Sequence, residues 1–248
     1  MNIAVCVSHV PDTATKVKIG QDGKSIDPAG VTYIINPYDE FAVEEALKTK
    51  EKFGGEVTVI SIGGEASKET IRKALAMGAD NGILLKDDSE KDSFAVAKML
   101  AAELQPRNFD IIFFGKQSVD YDNAIAGQLT AELLGFNCVS VVVDLKIENN
   151  KITAEREIEG GREVVETQLP AVITAQKGLN EPRYASLKGI MAAKKKVIEE
   201  KLPVQAENLT AVVKMDKPPE KQPGRILGTD SSAVAELVKL LHEEAKVI

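Results

Sequence analysis

The sequence predicts an α/β fold: an open, mostly parallel, Rossmann-like sheet with helices on both faces, followed by antiparallel strands and a C-terminal arm. Three observations predict it. Near-continuous apolar strands alternate with amphipathic helices through the first half, the pattern of a parallel sheet covered on both faces. After Gly135 the texture changes to extended runs separated by polar or glycine-rich turns. From Lys194 to Gln222 the chain is Lys- and Pro-containing, with no long apolar period. At 248 residues the chain is long enough for one large domain with an appendage, taking roughly 150 residues per domain. We place an α/β domain at residues 1–193 and an arm plus helix at 194–248.

The elements follow in order. Asn2–Ser8 is a short run rich in β-branched residues, long enough for a strand and too short for a helix. Lys16–Ile26 holds Gly20-Gln21-Asp22-Gly23, a turn between two short extended segments. Asn36-Pro37 opens a helix at about Asp39, with Val43, Ala46, Leu47 and Phe53 on one face and Gly54-Gly55 as its stop. Strand two is Val57–Ile62, and the helix from Ser67 sets Ile71, Ala74, Leu75 and Gly78 on one side. Gly82–Leu85 is strand three, and Val96, Met99, Leu100 and Leu104 face inward from helix three. Asp110–Phe114 is strand four, with Ile125, Leu129 and Leu133 inward on helix four. Val139–Leu145, Lys151–Ile158 and Glu163–Gln168 read as antiparallel strands, and Ala171–Ala175 returns to the sheet. Ser231–Ala245 is a terminal helix with Leu237, Leu240 and Leu241 on one side. An arm of some thirty residues before it is too long for a loop in a compact domain and suits the surface of another subunit.

Composition excludes several functions. Lys+Arg 31 against Asp+Glu 38 leaves a net charge of −7, and 7 Phe, 4 Tyr and no Trp are sparse, so nucleic acid is a poor partner. No stretch approaches ~18 uncharged apolar residues, which argues against membrane insertion. The start reads as a strand and has neither a basic n-region nor an Arg-rich amphipathic character, so a cytoplasmic location is expected. Cys6 and Cys138 lie in apolar runs, read as packing residues, and suit a reduced compartment. His9 and His242 sit at opposite ends, supporting neither a metal site nor a His-based catalytic pair. Lys194-Lys195-Lys196 reads as a solvated run.

Ligands of open parallel sheets bind at the carboxyl ends of strands, beside helix N-termini. Asn36-Pro37-Tyr38-Asp39, Ile62-Gly63-Gly64 and Gly115-Lys116-Gln117-Ser118-Val119-Asp120-Tyr121-Asp122 occupy such places. Gly115 lets a ligand approach the backbone, Lys116 offers a charge, and the next helix offers N–H groups to a phosphate. Spacing alone leaves two readings: a nucleotide site, or structural turns with Asp122 as an N-cap. Ser61–Ser67 matches the SGGxDS loop of ATP pyrophosphatases weakly, since it follows the second strand and carries Glu65 for Asp. Asn180-Glu181-Pro182-Arg183-Tyr184, with Leu187 and Ile190-Met191 beyond, is either a docking patch or a satellite of the core. Residue chemistry alone favours inward packing.

Several motifs share one resemblance. Gly160-Gly161, Glu163, Val164–Thr174, Asn180–Leu187 (NEPRYASL), Ile190-Met191, Lys194–Lys196, Asn36-Pro37, Ala74–Asp80 and Gly115-Lys116-Gln117 resemble the beta subunit of electron transfer flavoproteins. The resemblance spans essentially the whole chain. It implies a heterodimer with an alpha subunit holding most of one FAD, a beta subunit burying AMP, and an arm that wraps the partner. Electrons come from acyl-CoA and related dehydrogenases and leave to electron transfer flavoprotein-quinone oxidoreductase, so the beta subunit is a carrier and not an enzyme. By the same resemblance Leu187 anchors a recognition loop over roughly Asn180–Lys195, with Pro182, Arg183, Tyr184, Ile190 and Met191, which reverses the inward-packing reading. Glu157 matches an acid that pairs with an alpha-subunit arginine, and Tyr38 an aromatic near the isoalloxazine. The implied AMP positions are Cys6, Asn36–Asp39, Ile62 and Gly115–Ala126, which include Asn123.

Two departures qualify this. Ala124-Ile125-Ala126-Gly127 replaces Asn-Gln-Thr-Gly, and three lost side-chain hydrogen bonds at ~1 kcal/mol each weaken the expected hold on AMP. Thr13 stands where some members place a flavin-contacting Tyr. A bifurcating beta subunit with a second FAD, and an ATP-using enzyme sharing the adenine-nucleotide α-hydrolase type of sheet, are the alternatives.

Overall fold

Short β-branched runs form the sheet, and the longer amphipathic runs between them carry the chain back across it. The computed structural model describes residues 1–220 and 223–248. They divide into two units, Met1–Val213 and Lys214–Ile248. The first begins β1 Asn2–Cys6, β2 His9–Pro11, β3 Tyr33–Ile35, α1 Pro37–Phe53, β4 Glu56–Gly63, α2 Ser67–Met77 and β5 Asn81–Lys86. It continues α3 Ser93–Leu104, β6 Ile111–Gly115, α4 Ala126–Leu134, β7 Asn137–Glu148, β8 Lys151–Ile158 and β9 Gly161–Gln168. It closes with β10 Ala171–Ala175, α5 Leu187–Lys195 and β11 Ile198–Lys201.

Nine strands form one sheet in the order β11-β5-β4-β1-β6-β10-β7-β8-β9. From β11 to β7 all neighbours are parallel, and β8 and β9 add antiparallel pairs. The expected open, mostly parallel sheet is therefore present. Its central strands are buried on both faces because alternate residues serve two cores. In β1, Ile3 and Val5 pack with Val43 and Leu47 of α1 and Ile71 and Leu75 of α2. Ala4 and Cys6 pack on the opposite side with Leu100 and Leu104 of α3 and Ala131 of α4.

Several expectations need correction. β7 is antiparallel only towards β8 and runs parallel to β10 on its other side. On α4 the buried residues are Gly127, Thr130 and Ala131, whereas Ile125 and Leu133 are exposed. A small-residue face lets α4 sit close to the sheet: a Cβ at Gly127 would stand 2.8 Å from Thr174 Cγ2. Cys138 is exposed at the start of β7. The segment expected as a recognition loop is not all loop, since α5 begins at Leu187, where the Ser186 side chain accepts from the Gly189 N–H at 3.0 Å. α5 lies on α2, and a Cβ at Gly189 would meet the Ala76 carbonyl at 2.4 Å. β11 falls within the stretch expected as arm, yet it pairs with β5. Between Lys16 and Ile26 the extended segments reduce to one antiparallel bridge, Ile19 to Ile26.

In the second unit, a short turn over Ser231–Ala233 leads into α6, Val234–Glu243. No residue of α6 is buried, and Val234, Leu237 and Val238 are among its exposed apolar side chains. No described helix is long and apolar enough to cross a membrane.

Candidate functional site

The crossover from β1 leads towards β4 and β5, while β6 and β10 lie on β1's other side. That reversal opens a crevice at the carboxyl ends of the strands. A cleft of about 490 Å³ lies there, within the usual span for small-molecule sites.

Its floor is a hydrogen-bonded hub. Asn36 precedes α1, and Asp39 lies in the first turn, where the helix dipole favours a carboxylate. Asp39 Oδ2 accepts from the Ser8 N–H at 2.7 Å, and Oδ1 accepts from the Gly115 N–H and Asn36 Nδ2, both at 3.0 Å. Asn36 Nδ2 also donates to the Gln117 carbonyl at 2.8 Å, and Asn36 Oδ1 accepts from the Val119 N–H at 3.3 Å. Two side chains thus tie the end of β1, the start of α1 and the loop after β6. Gly115 lines the cleft, but its lack of a side chain also serves α1, because a Cβ there would stand 2.4 Å from Asp39 Oδ1.

Burial raises the Asp39 pKa to about 7, against the opposing pull of its bonds from Asn36, Ser8 and Gly115, and Asp120 adds to the rise. A carboxyl whose pKa is higher folded than unfolded stabilises most below about pH 4, and that contribution fades as pH rises through 7. Asp39→Asn should therefore flatten the fall in melting temperature between pH 5 and 8. It should also lower stability throughout, since an amide cannot accept all three bonds and an unmet buried donor costs about 1–3 kcal/mol. Melts across that range check this, and parallel wild-type and variant curves would count against the hub. Burial also raises the neighbouring Cys6 thiol well above its ordinary pKa, with Asp39 adding to it, so the sulfur stays protonated.

The opposite wall is the N-terminus of α4. Ile125 occupies the cap position without a side-chain hydrogen bond, so the first-turn N–H groups of Ala126, Gly127 and Gln128 point outward without a cap. Asp122 is not that cap: its backbone is left-handed, with φ 56°, and its carboxylate accepts from Gln117 Nε2 at 2.7 Å. Ser61 and Ser118 line the cleft, and their hydroxyls are buried with no hydrogen-bond partner among the described residues. Their remaining capacity suits a polar ligand.

Of the residues expected at a nucleotide, Cys6, Asn36, Asp39, Ile62, Gly115 and Lys116 line the cleft, as do Gln117, Ser118, Asp120, Asn123, Ile125 and Ala126. Pro37, Tyr38, Val119, Tyr121, Asp122 and Ala124 stand behind or outside the lining. Lys116 Nζ lies 5.0 Å from the centre of the Tyr38 ring, a cation–π contact. His9 lines the cleft, stacked on Tyr33 at 5.1 Å, with Nδ1 2.8 Å from Thr70 Oγ1. Burial lowers its pKa below 6.5 despite Glu69, so the ring is neutral at pH 7. Asp87, Asp88, Ser89 and Lys91, from the loop after β5, form a wall that sequence reasoning missed. Their spacing looks like any solvated turn, and only the fold brings them to the crevice. The hydroxyl of Ser61 within an apolar strand was the legible signal.

The second group of expected residues lies elsewhere. Tyr184 is 98% exposed and Leu187 78%, and Ile190 and Met191 are also exposed. Asn180, Pro182 and Arg183 face α1 or are half-buried, and Arg183 pairs with Glu44 at 2.8 Å. Hydrogen bonds from Arg183 lower the Glu51 pKa, and those to Glu44 and Glu51 raise that of Arg183. Glu157 is exposed on β8, and its Oε2 accepts from Gln176 Nε2 at 2.8 Å.

A family described as the electron transfer flavoprotein domain matches residues 24–205. The electron transfer flavoprotein subunit beta of Bacillus subtilis (strain 168) is 40% identical over 259 residues, covering 100% of both chains. The protein of the same name from Bradyrhizobium diazoefficiens is 42% identical over 252 residues, again covering 100% of each. That of Mus musculus is 39% identical over 242 residues, 94% of this chain and 95% of its own. Since the family covers most of the chain and these relatives align almost end to end, the chain belongs to the electron transfer flavoprotein family as a beta subunit.

Proposed function

We propose that the chain is the nucleotide-holding half of a heterodimeric electron carrier. Its cleft takes AMP, with the phosphate on the N-terminus of α4. The exposed arm and α6 bind an alpha subunit that holds most of one FAD. The segment 180–191 receives acyl-CoA and related dehydrogenases, and electrons leave to the quinone oxidoreductase. Bound FAD supplies the one-electron chemistry, while this chain's residues bind and orient. Tyr38, with Lys116 above it, would be the residue to contact the isoalloxazine, and Gln176, bonded to Glu157, would steady that acid for an alpha-subunit arginine.

The observation that carries the nucleotide reading is the pairing of two partnerless buried hydroxyls, Ser61 and Ser118, with an uncapped helix N-terminus in one cleft. Ala124, Ile125 and Ala126 forgo three side-chain bonds at about 1 kcal/mol each, whereas two backbone N–H bonds to a phosphate contribute about 1.5–3 kcal/mol each. Backbone donors therefore offset the missing side chains. The test is to denature the purified heterodimer and identify the nucleotides it releases. We expect one FAD and one AMP per heterodimer. FAD alone would remove the AMP assignment, and two FAD would move the chain to the bifurcating branch.

A further inference from the structure

Between β10 and α5 the chain passes through Leu179–Ser186 without helix or strand. Such a segment is ordered only by what it touches. Here α1 does the holding. Asn180 Nδ2 donates to the Phe41 carbonyl at 3.0 Å and to Glu45 Oε2 at 2.9 Å. Arg183 engages two carboxylates at once. Its Nε and Nη2 donate to the two oxygens of Glu44 at 2.8 and 2.9 Å, and its own backbone N–H adds a bond to Glu44 Oε2 at 3.0 Å. Nη1 and Nη2 reach the two oxygens of Glu51, at 2.5 and 3.2 Å. Glu44 and Glu51 lie seven residues apart, about two turns along one helix face. A planar guanidinium can engage both carboxylates with paired, fixed N–H bonds, whereas an ammonium would meet them only as a point charge.

Glu44 is only 5% exposed and is paired with Arg183 at 2.8 Å, so removing Arg183 would strip a buried group of its partner. The next residue, Tyr184, points away and is almost wholly exposed, as is most of Leu187. The segment thus has a polar inner edge fixed to α1 and an apolar outer edge open to a partner.

We infer that Arg183, clasped between Glu44 and Glu51, is a positioning residue that fixes segment 180–187 on α1 and so presents Tyr184 and Leu187 as a preformed docking surface. The role rests on the docking reading proposed above. A surface already ordered binds without the cost of ordering it at each encounter. Arg183 then acts through its neighbours and does not itself touch the partner.

The test uses the purified heterodimer, comparing wild type with Arg183→Ala, Arg183→Lys, Glu51→Gln and Leu187→Ala. Two quantities are read: amide hydrogen exchange over 180–187, and the steady-state kinetics of flavin reduction by an acyl-CoA dehydrogenase. Arg183→Ala should speed exchange about tenfold and raise the KM for the heterodimer about tenfold, with kcat and flavin content unchanged. Arg183→Lys should fall between it and wild type. Leu187→Ala should leave exchange as in wild type while raising KM. If Arg183→Ala fails to fold with Glu44 left unpaired, Glu51→Gln opens one fork at an exposed acid and should shift both readouts the same way by less. Wild-type exchange in whichever of these two variants folds would overturn the clasp. Faster exchange with unchanged KM, alongside a raised KM in Leu187→Ala, would overturn the positioning role. An unchanged KM in Leu187→Ala would overturn the docking reading and the docking part of this role, and exchange would still decide the clasp.

Discussion

Alanine at Gly115 should cost about 2–4 kcal/mol of stability and empty the cleft of nucleotide. The added methyl would lie 2.4 Å from Asp39 Oδ1, 2.7 Å from the Tyr38 carbonyl carbon and 2.8 Å from the Asp39 nitrogen. Two of those three are backbone atoms, so no rotamer change relieves the clash. Moving α1 away would break the bond from the Gly115 N–H to Asp39 and loosen Asn36's hold on Gln117 and Val119. For a chain of this size each kcal/mol lowers the melting temperature by about 2–4 °C. Gly161→Ala is the control, because nothing lies within 4 Å of a Cβ there. A thermal melt and nucleotide release on both variants decide the matter; equal melting temperatures would show that the contact at Gly115 relaxes at no cost.

Leu187→Ala should reduce the kcat/KM for reduction by the dehydrogenase by about 10- to 100-fold, leaving FAD content and melting temperature as in wild type. Seating a leucine in a partner's apolar socket contributes about 1.5–3 kcal/mol, and each 1.4 kcal/mol is tenfold. Leu187 is 78% exposed in the chain, so its truncation removes little internal packing. The contrast with Gly115 is the useful part: one substitution acts through the fold, the other only through association. Stopped-flow flavin reduction measures it, and a wild-type rate would show that the partner docks elsewhere.

Legibility in the sequence followed burial. β1, β4, β5, β6 and β10, buried on both faces, read as apolar runs, and α1 to α3 showed most of their inner faces at helical spacing, although Phe53 of α1 is exposed and Gly78 lies past the end of α2. The misses are elements that bury almost nothing of their own. In α5 only Ala193 is buried, and the helix is held by a Ser186 cap and by Arg72 Nη1 donating to the Ala193 carbonyl at 2.8 Å. β11, Ile198-Glu199-Glu200-Lys201, has one buried residue, so its pattern resembles a solvated linker. β2 and β3 are three residues each, and 21 residues separate them in the chain. On α4 the larger side chains suggested one inner face and the small ones form another. At the cleft, residues before or after strands were legible from position, whereas Asp87–Lys91 became neighbours of Asn36 only through the sheet order.

The pairing of β11 with β5 also bears on synthesis. Ile198 lies opposite Gly82, so the sheet's outermost parallel pair joins residues 116 positions apart. During translation β5 stays an open edge, with unpaired N–H and C=O groups, until most of the chain has emerged. Closing so long a connection is entropically slow, and an exposed apolar edge is where nascent chains aggregate. The alternating charges around that edge, Lys68, Lys86 and Glu65 with Glu200 from β11, are then gatekeepers for the waiting edge as well as partners for the finished one. Premature termination before Ile198 would release a chain with most of its sheet and an unpaired edge, guarded only by Lys68, Lys86 and Glu65.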